Sequence, residues 1–301
     1  MQSLVFAFHY PLVLIGHLLN NNQNSFICLP TKDTIQFKIH KSNQHFTIKN
    51  LKKSTIINFD QTQKLPQPYS SFKKALKIIF TQIYQVEIYP SLAISTNQKL
   101  TKYNFGALLI ATIKSLSKYY SLNLTDHQIF GIITTIFNNH SYPPDNYFVQ
   151  TLTALFNQPF YFNHLTQAYQ FLDLESFFFQ FYDLNQKLTK TIIKDYSQDP
   201  KYHEDIVHHS KRISFLASQA QKAIFQKANI QLGENLTKNQ KVLNELGFKH
   251  NPSHELLVES NLTGAFGAKV VEYKTNLHFL ILRKTILQLN NQRLKPSSLF
   301  L

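Results

Sequence analysis

QVEIYPSLAISTNQKLTKYNFGALLIATIKSLSKYY, residues Gln85–Tyr120, decides how the rest of the chain is read. Gln85–Tyr89 reads as a short strand, Pro90–Gln98 as a connection, and Thr101–Tyr120 as a long helix apolar around most of its circumference. Thr125 and Gln128 then form a capping-box pair that starts a second helix over Asp126–Asn138. The polar turn His140-Ser141-Tyr142-Pro143-Pro144-Asp145-Asn146 closes the stretch. A strand feeding a helix N-terminus leaves backbone N–H groups unpaired and pointing outward, an architecture suited to phosphate.

Upstream, residues 4–60 are β-rich, with short apolar or alternating runs at Leu4–Phe8, Leu12–Ile15, Ser25–Leu29, Thr34–His40 and His45–Lys49. Ser71 is placed to cap a helix whose Phe72, Leu76, Ile79, Phe80 and Ile83 share one face. Downstream, Phe148–Phe162 reads as extended, and Phe177–Phe181 as a strand with a helix through Ile192 and Ile193. A long helix follows over His203–Ile230, then one over Gly233–Leu246 stopped by Gly247, and a short one from Ser253 to Val258. Two strands, Ala268–Val271 and Leu277–Leu282, complete the pattern. Strands first, helices next and a late hairpin indicate an α+β fold in two lobes, divided as 1–165 and 166–301.

Composition sets the limits. At 301 residues, 43% hydrophobic and 14% aromatic, the chain has ample material for a core. A net charge of +14 raises the question of nucleic acid, but the arginines are only Arg212, Arg283 and Arg293, and no basic run is interleaved with aromatics. Abundant Lys, Asn, Ile, Phe and Tyr together fit an AT-rich coding bias. Cys28 is the single cysteine, so neither an intrachain disulfide nor a thiolate metal cluster can form, in keeping with a cytoplasmic setting. The apolar run Leu4–Leu19 lacks a basic flank and a small-residue cleavage site, and no stretch is long enough to span a bilayer. Only seven glycines occur, about a third of average usage of roughly 7%.

The strongest signature is C-terminal: Leu232-Gly233-Glu234-Asn235-Leu236, Asn239-Gln240, Leu243-Asn244-Glu245-Leu246-Gly247 and Gly264-Ala265-Phe266-Gly267-Ala268-Lys269. With the segments before it, it resembles the GHMP small-molecule kinases, and among them the mevalonate kinases. That resemblance implies a two-lobed mixed-sheet fold, ATP and Mg²⁺ as cofactors, and a small alcohol such as mevalonate as substrate. It also carries roles to individual residues. The N-terminal motif G-K-x-I-L-x-G-E-H becomes Gln2–His9, with Gln2 at the lysine, Phe8 at the glutamate, and His9 retained as a substrate contact or as a structural histidine at a strand end. The glycine-rich phosphate loop falls on Pro90–Leu100, without a glycine, leaving Ser95, Thr96 and Asn97 as the nucleotide-side residues. The glutamate that completes the metal site falls on Ile136, so no metal ligand is assigned. Asp145 stands where the family has its catalytic aspartate, and ordinary turn chemistry is its other reading. Thr189, with Asp183, partly matches a substrate-side segment, and Glu272 begins the stretch that replaces a third glycine run.

Phosphoryl transfer depends on positioning and charge neutralisation, so losing lysine, metal ligands and glycines together implies little or no kinase activity and a binding or partner role. A second copy or an active kinase paralogue is the expected partner. An active kinase with divergent motifs and a basic nucleic-acid binder are the alternatives. His203, His208 and His209 with Glu204 do not share one helix face and read as a solvated helix end.

Overall fold

The computed structural model describes residues 3–16, 24–42, 46–50, 55–58, 65, 69–83, 91–96, 98, 104–138, 146–187, 200–246, 251–273, 276–284 and 295–297. The chain divides into two compact units, Met1–Tyr10 with Lys32–Asn157, and Pro11–Thr31 with Gln158–Leu301. Residues 11–31 group with the C-terminal unit, and the later boundary between the units lies at 157/158. Two strands run through both units: β1 (Leu4–Ile15) and its partner β2 (Phe26–Lys41). Each joins two runs that read separately in the sequence. Pro30 lies between Phe26–Cys28 and Phe37–Lys41, the two stretches through which β2 pairs with its other neighbours.

In the first unit the strand order is β4–β3–β5–β2, with β3 at Thr47–Asn50, β4 at Thr55–Asn58 and β5 at Leu92–Thr96. β3 and β5 are parallel, and the crossover between them carries α1 (Tyr69–Ile78), extended by a π turn over Ile79–Ile83. Phe72, Leu76, Ile79 and Phe80 are buried as their spacing predicts, although the helix starts two residues before Ser71. Helices α2 (Phe105–Tyr119), α3 (Asp126–Asn138) and α4 (Asn146–Phe156) follow. α4 corrects the extended reading of Phe148–Phe162: only β6 (Phe160–Asn163) is strand there.

In the second unit β6 pairs with Phe26–Cys28 of β2 and turns back into β7 (Ala168–Phe171). A separate sheet has the order β11–β8–β10–β9, from β8 (Phe178–Lys187), β9 (Gly267–Tyr273), β10 (Asn276–Arg283) and β11 (Lys295–Ser297). Tyr182, Leu184, Val270, Phe279 and Ile281 form its apolar cluster. Helices α5 (Pro200–Phe225), α6 (Asn229–Glu245) and α7 (Asn251–Leu262) complete the unit. The long helix thus ends at Phe225, five residues before the expected Ile230. The helix expected through Ile192 and Ile193, and the Gly247 stop, lie outside the described residues. No described helix is long and apolar enough to cross a membrane.

Candidate functional site

The strand that leads into α2 is β5, not Gln85–Tyr89, which lies outside the described residues. Leu92–Thr96 is the sequence expected to be a phosphate-binding connection, and it is instead a central strand, parallel to β3 and antiparallel to β2. The connection into the helix is therefore residues 97–104, about seven residues later, and it too contains no glycine. Within β5 Ser95 and Thr96 are buried, and Ser95 Oγ donates to the Lys38 carbonyl at 3.2 Å. Thr96 Oγ1 accepts from the Gln98 backbone N–H at 3.2 Å. Asn97 lies outside the described residues.

At the mouth of α2 the chain builds a polar cluster from three segments, around Tyr10, Thr34 and the 97–104 connection. The Tyr10 hydroxyl donates to Gln98 Oε1. Gln98 Nε2 donates to the Thr34 carbonyl at 3.3 Å. Asn104, the residue before α2, does not cap the helix with its side chain but hydrogen-bonds Tyr10. Burial holds the Tyr10 hydroxyl above its ordinary pKa, the Asn104 hydrogen bond opposes this, and the Asp33 carboxylate adds to the rise. Among the described residues, the cluster joins the Tyr10 phenol and the Gln98 and Asn104 amides, with the Asp33 carboxylate close enough to act on Tyr10. Behind them Phe105 is wholly buried and stacks on Tyr147 with ring centroids 4.5 Å apart. A Cβ on Gly106 would lie 2.4 Å from the Thr151 backbone nitrogen, so α2 and α4 meet backbone to backbone at this point.

Of the other predicted positions, His9, Ile136 and Asp183 are described. His9 is half-buried in the middle of β1, not at a strand end. Ile136 is 0% exposed on α3, where its neighbour Phe137 meets Phe148 of α4 edge-on at 5.2 Å. Asp145 and Thr189 lie outside the described residues; α4 begins at Asn146, the residue after Asp145. Asp183 pairs with His278 and Lys295 in the interior of β8, so it stands mid-strand.

In the second unit the C-terminal signature is a packing device. Gly233 of α6 and Gly267 of β9 lie back to back: a Cβ on Gly267 would come 1.9 Å from the Gly233 carbonyl oxygen, and one on Gly233 would come 2.2 Å from that of Phe266. Next to them Lys269 is 2% exposed. Its Nζ donates to Asn239 Oδ1 at 2.6 Å and to the Gly16 carbonyl at 3.3 Å, and Asn239 Oδ1 also accepts the Gly16 N–H at 3.4 Å. Desolvation lowers the Lys269 pKa to about 7.

No family model and no curated protein sequence matches the chain. Solved structures do. Mevalonate kinase from Methanococcus jannaschii superposes with a TM-score of 0.63 at 16% identity, over 94% of this chain and 91% of that one. Galactokinase from Lactococcus lactis, complexed with galactose, gives 0.70 at 12% identity over 94% and 86%. The Lin0012 protein from Listeria innocua gives 0.76 at 12% identity over 99% and 97%. The chain has the GHMP-kinase fold.

Within that fold, Tyr10, Asp33 and Asn104 are residues that sequence reasoning did not single out. Tyr10 and Gln98 are 88 positions apart, and no local pattern links them. The one signal at hand was negative: with no glycine on either side of β5, some other chemistry has to finish the start of α2.

Proposed function

We propose that this GHMP-fold chain is a mevalonate-kinase-like protein that transfers phosphate little or not at all and acts as a binding or partner subunit, beside an active kinase paralogue or a second copy of itself. The observation that carries this reading is Ile136: the position that the resemblance assigns to a metal-ligating glutamate holds an aliphatic side chain 0% exposed in the helix core. An aliphatic group cannot coordinate Mg²⁺, and core burial leaves no room for a carboxylate to replace it without rearrangement. The start of α2 supports the same reading. The connection into it holds no glycine whose backbone could cradle a nucleotide phosphate. The described residues thus do not fit Mg-ATP.

Retained activity would have to rest on Asp145 positioning the acceptor hydroxyl. Thermal denaturation of the full chain with Mg-ATP, with ATP and chelator, and with mevalonate separates the readings. A ligand at a hundred times its Kd stabilises the native state by about 2.7 kcal/mol, several degrees of Tm. The expected result is no Mg²⁺-dependent shift with ATP. A Mg²⁺-dependent rise, together with turnover of mevalonate that Asp145→Asn removes, would establish the active kinase and overturn this proposal.

A further inference from the structure

We propose that the groove between α5 and α6 docks an acidic amphipathic helix of a partner protein. It gives the partner role proposed above a surface, and rests on that reading only for its use: the groove is built from residues other than those to which the resemblance assigns nucleotide or alcohol binding.

On α5, Lys211, Arg212, Phe215 and Leu216 follow one another at helical spacing, and on α6 Lys238, Lys241, Val242 and Glu245 do the same. The two stripes face each other across a cleft of about 500 Å³. Leu216 and Val242 make its floor, 7% and 1% exposed, while Phe215 stands in its wall 62% exposed. A phenyl ring left in water beside an apolar floor is the form of an unfilled helix seat.

The charges around this floor are unequal. Glu245 is the one carboxylate lining the cleft, and it is already occupied: Arg212 grips both of its oxygens and His209 approaches one at 3.2 Å. The Arg212 hydrogen bond, first among several causes, holds its carboxyl below the usual range. Lys238 is paired along its own helix with Glu234 at 3.1 Å. Lys211 and Lys241, one on each wall, have no carboxylate partner among the described residues. An occupant complementary to this surface carries apolar residues at i, i+3 or i+4 and i+7 over the floor, with Asp or Glu flanking them toward the two lysines. A nucleic-acid strand would need a continuous row of cations and stacking aromatics where this groove has an aliphatic floor.

The test uses fluorescence anisotropy of the full chain with a labelled probe peptide of about 14 residues, leucines at helical spacing and glutamates between them. Its controls are a scrambled peptide of the same composition and a labelled single-stranded oligonucleotide. Saturable binding of the amphipathic peptide is expected, weakened about tenfold by Lys211→Glu with Lys241→Glu, weakened also by Phe215→Ser, and unchanged by Lys74→Glu with Lys77→Glu on α1. These positions are on the surface, and circular dichroism verifies that each variant folds. The proposal fails if no saturable binding occurs, or if the scrambled peptide binds as well. It also fails if the α1 pair weakens binding equally, since attraction would then belong to the overall charge of +14. Tighter oligonucleotide binding, lost in the same groove variants, would reassign the surface to nucleic acid. Because none of these readouts involves ATP, their failure leaves the reading of Ile136 untouched.

Discussion

Lys269 is buried to 2% exposure, and its surroundings are asymmetric. Both of its acceptors are uncharged, and Asn239 Nδ2 beside it has no partner among the described residues. Nothing there compensates a positive charge, so desolvation alone sets the direction of its shift. Between the folded value of about 7 and the ordinary 10.5, the unfolded chain holds one proton more than the native one. Native stability therefore rises with pH across that window, by about 1.4 kcal/mol per pH unit, and below it the cost of the buried ammonium is carried in full. Lys269→Met removes this slope. Urea denaturation of both proteins from pH 6 to 9 should show the stability of the variant relative to wild type highest at pH 6–7 and declining as pH rises; parallel curves would mean that Lys269 is solvated. This contact was not readable from the sequence. The G-A-F-G-A-K run shows a lysine after two small residues, but which groups would close over it depends on Gly16, 253 positions away.

At the scale of the element, what local chemistry dictates was legible. Thr125 and Gln128 make both halves of the capping box, the Gln128 N–H donating to Thr125 Oγ1 at 3.3 Å and the Thr125 N–H to Gln128 Oε1 at 2.8 Å, and α3 spans the expected residues. What depends on burial from all sides was not. α4 carries Tyr147, Phe148, Val149, Thr151, Leu152 and Thr153, buried around its whole circumference, so no 3.6-residue stripe separates it from a strand, and its β-branched and aromatic residues point the wrong way. Helix ends were obscured for a related reason. Ser121 and Lys227 hold left-handed positions usually given to glycine, and the chain closes each with the same pair of bonds, as where Ala228 N–H reaches the Ala223 carbonyl at 2.8 Å. At Gly106, Gly233 and Gly267 a neighbouring backbone leaves no space for a side chain. Gly267→Ala should cost about 3 kcal/mol or more, since its Cβ meets the rigid Gly233 carbonyl, while Gly264→Ala, with φ of +77° and open space around it, should cost about 1 kcal/mol. Paired urea melts that show the two substitutions equal would contradict the backbone contact between α6 and β9.

At the scale of the whole molecule, the grouping of residues 11–31 with the C-terminal unit makes a claim about folding. The fold class followed from strand and helix order, but this interleaving could not, because it depends on which part of a long strand pairs with what. Phe26, Ile27 and Cys28 form the ladder with Phe162, Tyr161 and Phe160, and Phe26 packs edge-on against Phe160 at 5.9 Å. The Ser25 N–H donates to Ser214 Oγ on α5 at 3.0 Å. Gly16 supplies both the carbonyl and the N–H that enclose the Lys269–Asn239 pair. A fragment beginning at Gln158 loses all of these together, leaving β6 with one open edge and a buried lysine short of an acceptor. Such a fragment should lack a cooperative thermal transition. A single chain in which residues 11–31 are joined by a flexible linker to residues 158–301 should recover it, because the cost of closing a loop grows only slowly with its length. Calorimetry on the two polypeptides decides the matter: a cooperative transition in the short fragment would show that residues 158–301 fold without residues 11–31, and that the N-terminal strands are additions to the second unit instead of part of its core.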